Sequence, residues 1–171
     1  KGSSDHILSL VNDLLDFQRL ESGEMEVHSV PFRVPVLFDE IYTSFQPIAE
    51  AKGLRFVLNL KPEETGQVYM GDPIRIRQVV GNLLSNAIKF TEAGRVVLLV
   101  SLQKLSAVHY QLSITVSDSG PGIPKEEQER IFGEFTRLAD TEEAEGFGLG
   151  LSITRKLLSL MNGTLALDST P

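Results

Sequence analysis

The chain has 171 residues, a formal net charge of −7, 42% hydrophobic residues and no cysteine. That length suits one ordinary domain plus an appendage, and the hydrophobic share is that of a chain with a real core. Disulfides and thiolate metal sites are excluded, an acidic chain without a basic run does not suit a nucleic-acid groove, and no apolar stretch approaches the roughly 20 residues that span a bilayer.

The start, KGSSDH, carries neither an initiator methionine nor a signal pattern, and reads as a piece of something longer. From there a helix is predicted through SSDHILSLVNDLLDFQRLESGEMEV, with Ile7, Leu10, Val11, Leu14, Phe17 and then Leu20 or Glu21 at three-four spacing. Ser3, Ser4 or Asp5 can cap it, and Gly23 marks its end. Such a stripe needs a partner helix, or else packs on its own domain. An extended piece punctuated by Pro31 and Pro35 follows, then a helix from about Pro35 to Lys52 that stops at Gly53. LRFVLNL (54–60) and QVYM (67–70) read as strands.

Asp72-Pro73 announces the next helix, since aspartate is a favoured N-cap and proline a favoured first helical residue. RVVLLVSLQKL and YQLSITVSD read as a hairpin turning near Ser106 to His109. A short helix (Lys125 to Phe132), an acidic loop, a helix through LGLSITRKLLSLMN and a last strand TLALD complete the order, with Asn162-Gly163 ending the last helix. The simplest architecture is a two-layer α/β sandwich, one mixed sheet with helices on one face.

Three stretches carry chemistry. In NLLSNAIKFT, residues 82–91, two asparagines and a lysine interrupt a helix that has little use for asparagine. At about 100° per residue, Ile76, Val79, Val80, Leu83, Leu84 and Ala87 share one side, and Arg75, Asn82, Asn86 and Lys89 share the neighbouring side. Such a stripe sits half-buried at a rim, where an amide oxygen can serve a hard cation and a lysine a phosphate. Taken singly, it also describes a solvated helix face. In VSDSGPGI a strand ends in Asp118, followed by Gly120 and Gly122; a carboxylate there can accept from the exocyclic amine of adenine, or simply close a tight turn. In EGFGLGLSITRKLL, Gly146, Gly148 and Gly150 run into a helix start, a natural anion site. The spacing is neither the dinucleotide fingerprint nor a P-loop.

Together and in order, N-x-x-x-N-A-x-K-F-T, D-S-G-P-G-I, I-F-G-E-F-T-R and G-F-G-L-G-L resemble the N, G1, F and G2 boxes of sensor histidine kinases. These kinases are part of the Bergerat-fold (GHKL) ATPase superfamily. The resemblance implies that residues 1–27 are the second helix of a dimerisation and phosphotransfer hairpin, and that 28–171 form a catalytic ATP-binding domain. It implies ATP and Mg²⁺ as ligands, with Asn86 on the metal, Asn82 on a phosphate or water and Lys89 near the phosphates. Asp118 would read adenine, with Gly120, Gly122 and Ile123 shaping its pocket. Phe132 and Phe135 would anchor a lid over 133–147, Arg137 would reach the terminal phosphate, and Gly146, Gly148, Leu149 and Gly150 would close over the phosphates.

The family's hydrolysing branches carry a glutamate where this chain has Asn82, and an amide is no general base near neutral pH. The implied reaction is therefore phosphoryl transfer to a histidine, then to an aspartate of a response-regulator receiver domain, in a homodimer built on a four-helix bundle. The expected location is cytoplasmic, with any membrane anchor in other segments. The competing readings are a degenerate nucleotide-sensing or dimerisation module, and a true ATPase, which Asn82 disfavours.

His6, His28 and His109 do not match the acceptor pattern, so the expectation is ATP binding without autophosphorylation of this chain. Three further departures stand out: Phe147 replaces a small polar residue, Arg137 is the only cation of an acidic lid (Asp140, Glu142, Glu143, Glu145), and DSTP stops before the family's usual last strand.

Overall fold

The structure, a computed structural model, describes residues 2–61, 67–134 and 148–171, without the side chains of residues 2–10 and 13. Two compact units emerge, residues 28–121 and residues 1–27 together with 122–171.

In the 28–121 unit the elements are β1 (Val30–Phe32), α2 (Val34–Ala51), β2 (Arg55–Leu60), β3 (Tyr69–Gly71), α3 (Pro73–Phe90), β4 (Arg95–Lys104) and β5 (Tyr110–Asp118), the label α1 being kept for Gly2–Glu21. β4 is central: it runs parallel to β2, from Arg55↔Arg95 to Leu60↔Val100, and antiparallel to β5, from Val96↔Asp118 to Lys104↔Tyr110. The parallel pair needs a crossover connection, and α3 lies within it. β1 and β3 form a separate antiparallel ribbon with Pro31 opposite Met70.

One face of the larger sheet carries the core. On α2, Val34, Leu37, Phe38 and Ile41 are buried at three-four spacing, as are Val80, Leu84, Ala87 and Ile88 on α3. They meet Val96, Leu98 and Val100 of β4, which alternate as one strand face must. Leu112, Ile114 and Val116 of β5 pack on the same cluster while Gln111, Ser113, Thr115 and Ser117 are exposed. Tyr42 stacks on Phe56 with ring centres 5.0 Å apart. The expected α/β class with a mixed sheet and helices on one face is what forms. The short extended piece expected around Pro31 becomes a paired strand.

In the other unit, α1 and a 3-10 turn (Arg130–Phe132) pack on α4 (Gly150–Leu160). Met25, Ile131, Leu149, Ile153 and Leu157 are buried. Val11, Leu14 and Leu15 of α1 stay exposed, while Phe17 and Leu20 are half-buried. α4 ends at Leu160, just before the expected Asn162-Gly163 stop, where Asn162 takes φ 57° and lets the Gly163 N–H reach the Leu158 carbonyl at 2.7 Å.

Two expectations need correction. Residues 164–168 form no strand: only Leu165 of the five is even half-buried, so there is no alternating face to pack. The helix expected over Lys125 to Phe132 shrinks to turns and the 3-10 segment, because Ile131 is its one buried side chain and no apolar stripe holds a longer helix down.

Candidate functional site

α3 is anchored at its start by Asp72. One carboxylate oxygen accepts the Arg75 N–H at 3.0 Å and the other accepts the His28 N–H at 2.9 Å. Both oxygens of this buried carboxylate are thus held by backbone donors, which joins the helix start to the chain entering β1. Along the helix, Arg75, Asn82, Asn86 and Lys89 are all half-buried, beside the buried Val80, Leu84 and Ala87. The polar stripe flanks the core stripe at a rim, as the helical spacing required. The Lys89 ammonium lies 5.2 Å from the Phe90 ring centre.

The far end of α3 meets the end of β5. Gly120 donates its N–H to Asp118 Oδ1 at 2.8 Å, and the Thr91 hydroxyl reaches the same oxygen at 3.4 Å. Thr91 is fully buried, whereas Asp118 is exposed. A Cβ on Gly120 would come within 2.7 Å of Asp118 Oδ1 and 3.2 Å of the Phe90 carbonyl oxygen, so any side chain there would push on both the strand end and the helix end. Ser119 ties down the adjoining turn by accepting the Arg95 N–H at 3.0 Å and donating to the Ala93 carbonyl at 3.2 Å. Asn82, Asn86, Lys89, Asp118 and Gly120 therefore belong to one unit, with the amides along the helix and the carboxylate at its C-terminal end.

The remaining described residues of the sequence-predicted site belong to the other unit. Gly122 has φ +74°, and a Cβ there would overlap the Thr170 backbone. The Ile123 N–H donates to Ser169 Oγ at 2.9 Å, and Gln128 Nε2 clamps the Ile123 and Ser169 carbonyls, each at 2.9 Å. Gly148 has φ +71°, which turns the chain into α4, and the buried Leu149 stands at the N-cap without a capping side chain. Gly150 is the first helical residue. Phe132 is half-buried in the 3-10 turn. Phe135, Arg137 and Gly146, with Phe147 and the acidic lid residues, lie outside the described residues.

No group of three or more His, Cys, Asp or Glu that could hold a metal occurs among the described residues. A magnesium ion does not require one, since it keeps several waters and takes phosphate oxygens. A single half-buried amide such as Asn86 fits that demand. A groove of about 530 Å³ lies at the opposite end of α3, lined by Phe32, Val36, Pro73, Ile74 and Arg77 among others, and contains no residue of the predicted site. Thr91 and Ser119 were missed from sequence. Thr91 closes the quoted N-A-x-K-F-T stretch, but its bond to Asp118 spans 27 residues and no local signal marks it.

The fold is that of an α/β domain with a mixed sheet. Residues 71–171 match the model of the histidine kinase-, DNA gyrase B- and HSP90-like ATPases, and the chain belongs to that family. Over 99% of its length it is 40% identical to the signal transduction histidine-protein kinase BarA of Escherichia coli K12, and 37% identical to the sensor protein GacS of Pseudomonas syringae pv. syringae. The chain spans 18% and 19% of the length of those two relatives. Full-length ShkA in complex with AMPPNP superposes with a TM-score of 0.79 at 34% identity, covering 94% of this chain and 32% of that one. ThkA in complex with the response regulator protein TrrA gives 0.65 at 25% identity, covering 95% of this chain and 42% of that one. The resemblance to sensor histidine kinases drawn from the four motifs is borne out.

Proposed function

We propose that this chain is the ATP-binding catalytic part of a two-component sensor histidine kinase. It directs the γ-phosphoryl group of ATP to a histidine outside these residues, from which an aspartate of a response-regulator receiver domain takes it. The observation that carries the reading is the half-buried stripe of Asn82, Asn86 and Lys89 on α3, ending beside Asp118, within residues that match the ATPase family. The relatives' names and the AMPPNP and response-regulator complexes of the neighbours support it.

In this reading the exposed Asp118 carboxylate accepts from the adenine amine, its oxygen Oδ1 already oriented by Gly120. Lys89 holds phosphate charge, and Asn82 orients a phosphate oxygen or water without removing a proton from it. Asn86 would hold the magnesium ion, which when bound neutralises charge on the phosphates. Gly146, Gly148, Leu149 and Gly150 would close over the phosphates, and Arg137 would reach the terminal one. Assembly is a homodimer through a helical hairpin whose second helix is α1, consistent with its exposed Val11, Leu14 and Leu15. The domain works in the cytoplasm, and no described helix is long and apolar enough to cross a membrane.

The test is titration with a fluorescent ATP analogue, with and without magnesium. The wild-type chain binds more tightly with the metal, and Asn86→Ala loses most of that dependence. Undiminished magnesium-assisted affinity in Asn86→Ala removes the reading.

A further inference from the structure

α3 ends in an unusual way. Its C-cap, Thr91, is extended (φ −92°, ψ 116°), so the helix passes straight into the chain that runs beside Asp118. Neither Glu92 nor Ala93 directly after it is left-handed, so the cap does not fold amides back onto the last carbonyls. Those carbonyls must find partners elsewhere, because a helix leaves its final four unsatisfied. The Thr91 N–H takes the Ala87 carbonyl at 3.2 Å. The Lys52 ammonium takes the next two, donating to the Ile88 and Lys89 carbonyls at 2.7 and 2.6 Å.

Lys52 is itself fixed by the end of another helix. It is the C-cap of α2, where its N–H bonds the Ala49 carbonyl at 3.1 Å. Just beyond it, the Gly53 N–H reaches Glu50 and the Leu54 N–H reaches back to Ala49, each at 2.9 Å. Ala49 and Leu54 are buried, so this turn is pinned to the core and the lysine stem springs from a rigid base. A cation at a helix C-terminus is also favoured by the helix dipole.

We infer that Lys52 is a positioning residue for nucleotide binding. It pegs the last turn of α3, which carries Lys89 and delivers Phe90 and Thr91 to Asp118 and Gly120. The inference rests on the reading of α3 as the nucleotide helix. Lys52 does not touch the nucleotide; it sets where the phosphate lysine and the carboxylate pocket stand relative to each other.

The experiment compares Lys52→Met, which keeps the stem and removes the charge, with Lys52→Arg, which keeps a cation with donors. Affinity for the fluorescent ATP analogue with magnesium is measured well below each variant's melting temperature. Amide exchange at Thr91 and Gly120 is followed by NMR without nucleotide. Lys52→Met is expected to bind about tenfold more weakly, the size that losing a charge-assisted hydrogen bond can carry. It should also exchange faster at both amides, with Lys52→Arg restoring most of both. Wild-type affinity in Lys52→Met, or unchanged exchange at Thr91 and Gly120, overturns the inference. If the wild-type chain itself binds no nucleotide, the kinase reading fails, and the exchange rates alone decide whether Lys52 holds the helix end.

Discussion

A single oxygen, Asp118 Oδ1, gathers the Gly120 N–H and the hydroxyl of the buried Thr91. The two donors orient the carboxylate before any ligand arrives, which is how a site avoids paying for ordering at the moment of binding. Two substitutions separate orientation from charge. Asp118→Asn keeps an oxygen able to accept from Gly120 but can present an amide N–H where adenine needs an acceptor. It should lower affinity for the adenine nucleotide at least tenfold, by roughly the cost of an unmade hydrogen bond, with little change in melting temperature. Gly120→Ala places a Cβ within 2.7 Å of the same oxygen and 3.2 Å of the Phe90 carbonyl, so it displaces the carboxylate and strains the α3 end together. It should lower both affinity and melting temperature. Calorimetric titration and thermal unfolding of both variants check the pair: equal losses of stability would mean that Asp118 serves the turn and not the ligand.

Among the elements, α1 and α4 are joined by an ion cluster whose sign can be worked out. Lys156 on α4 donates to Glu134 Oε1 at 2.7 Å, pairs with Glu21 at the end of α1, and lies 4.4 Å from the Phe17 ring centre. Burial pushes the lysine pKa down, but the hydrogen bonds and charges of Glu134 and Glu21 outweigh it and leave the pKa above its ordinary 10.5. A raised lysine pKa stabilises the folded form fully below the unfolded value of 10.5 and loses that contribution as the pH climbs through the folded value. The cluster should therefore be intact throughout the neutral range and dissolve only in strong alkali. Lys156→Met should speed amide exchange over the last turn of α1 at neutral pH, while the global stability changes by about 1 kcal/mol or less, as exposed ion pairs allow. Unaltered exchange at Phe17 to Glu21 would show that the packing of Met25, Ile153 and Leu157 alone holds α1. The elements that read clearly in sequence were those with a strong period and a marked end: α2, the Asp72-Pro73 start of α3, the β4–β5 hairpin and the Asn162-Gly163 stop. TLALD misled because only Leu165 of its five residues is even half-buried, and KEEQERIF because helix-favouring residues without a buried face do not hold a helix.

For the whole molecule, the candidate site was legible where local spacing alone sets a position: Asn82, Asn86 and Lys89 half-buried along α3, and Asp118 at the end of β5. It was illegible where a residue acts through another across a long interval, as Lys52 does over 36 residues to the Ile88 carbonyl. The same distinction governs where phosphate can go. His28 lies in the chain entering β1, with its N–H on Asp72, and His109 sits in the β4–β5 turn with Nδ1 3.1 Å from Ser106 Oγ. Neither is on a helix followed by an acidic residue, and His6 precedes an isoleucine. Asn82 offers no base to activate water. Given labelled ATP and magnesium, the 171-residue chain should therefore bind nucleotide, carry no acid-labile phosphate and release phosphate at well under one turnover per minute. Supplying a separate hairpin polypeptide that bears an acceptor histidine should restore labelling, on that polypeptide and not on this chain, and a receiver domain added afterwards should remove it. Acid-labile label on His6, His28 or His109 would make this chain its own acceptor. Many turnovers of free phosphate per minute would instead make it an ATPase, with a base other than residue 82.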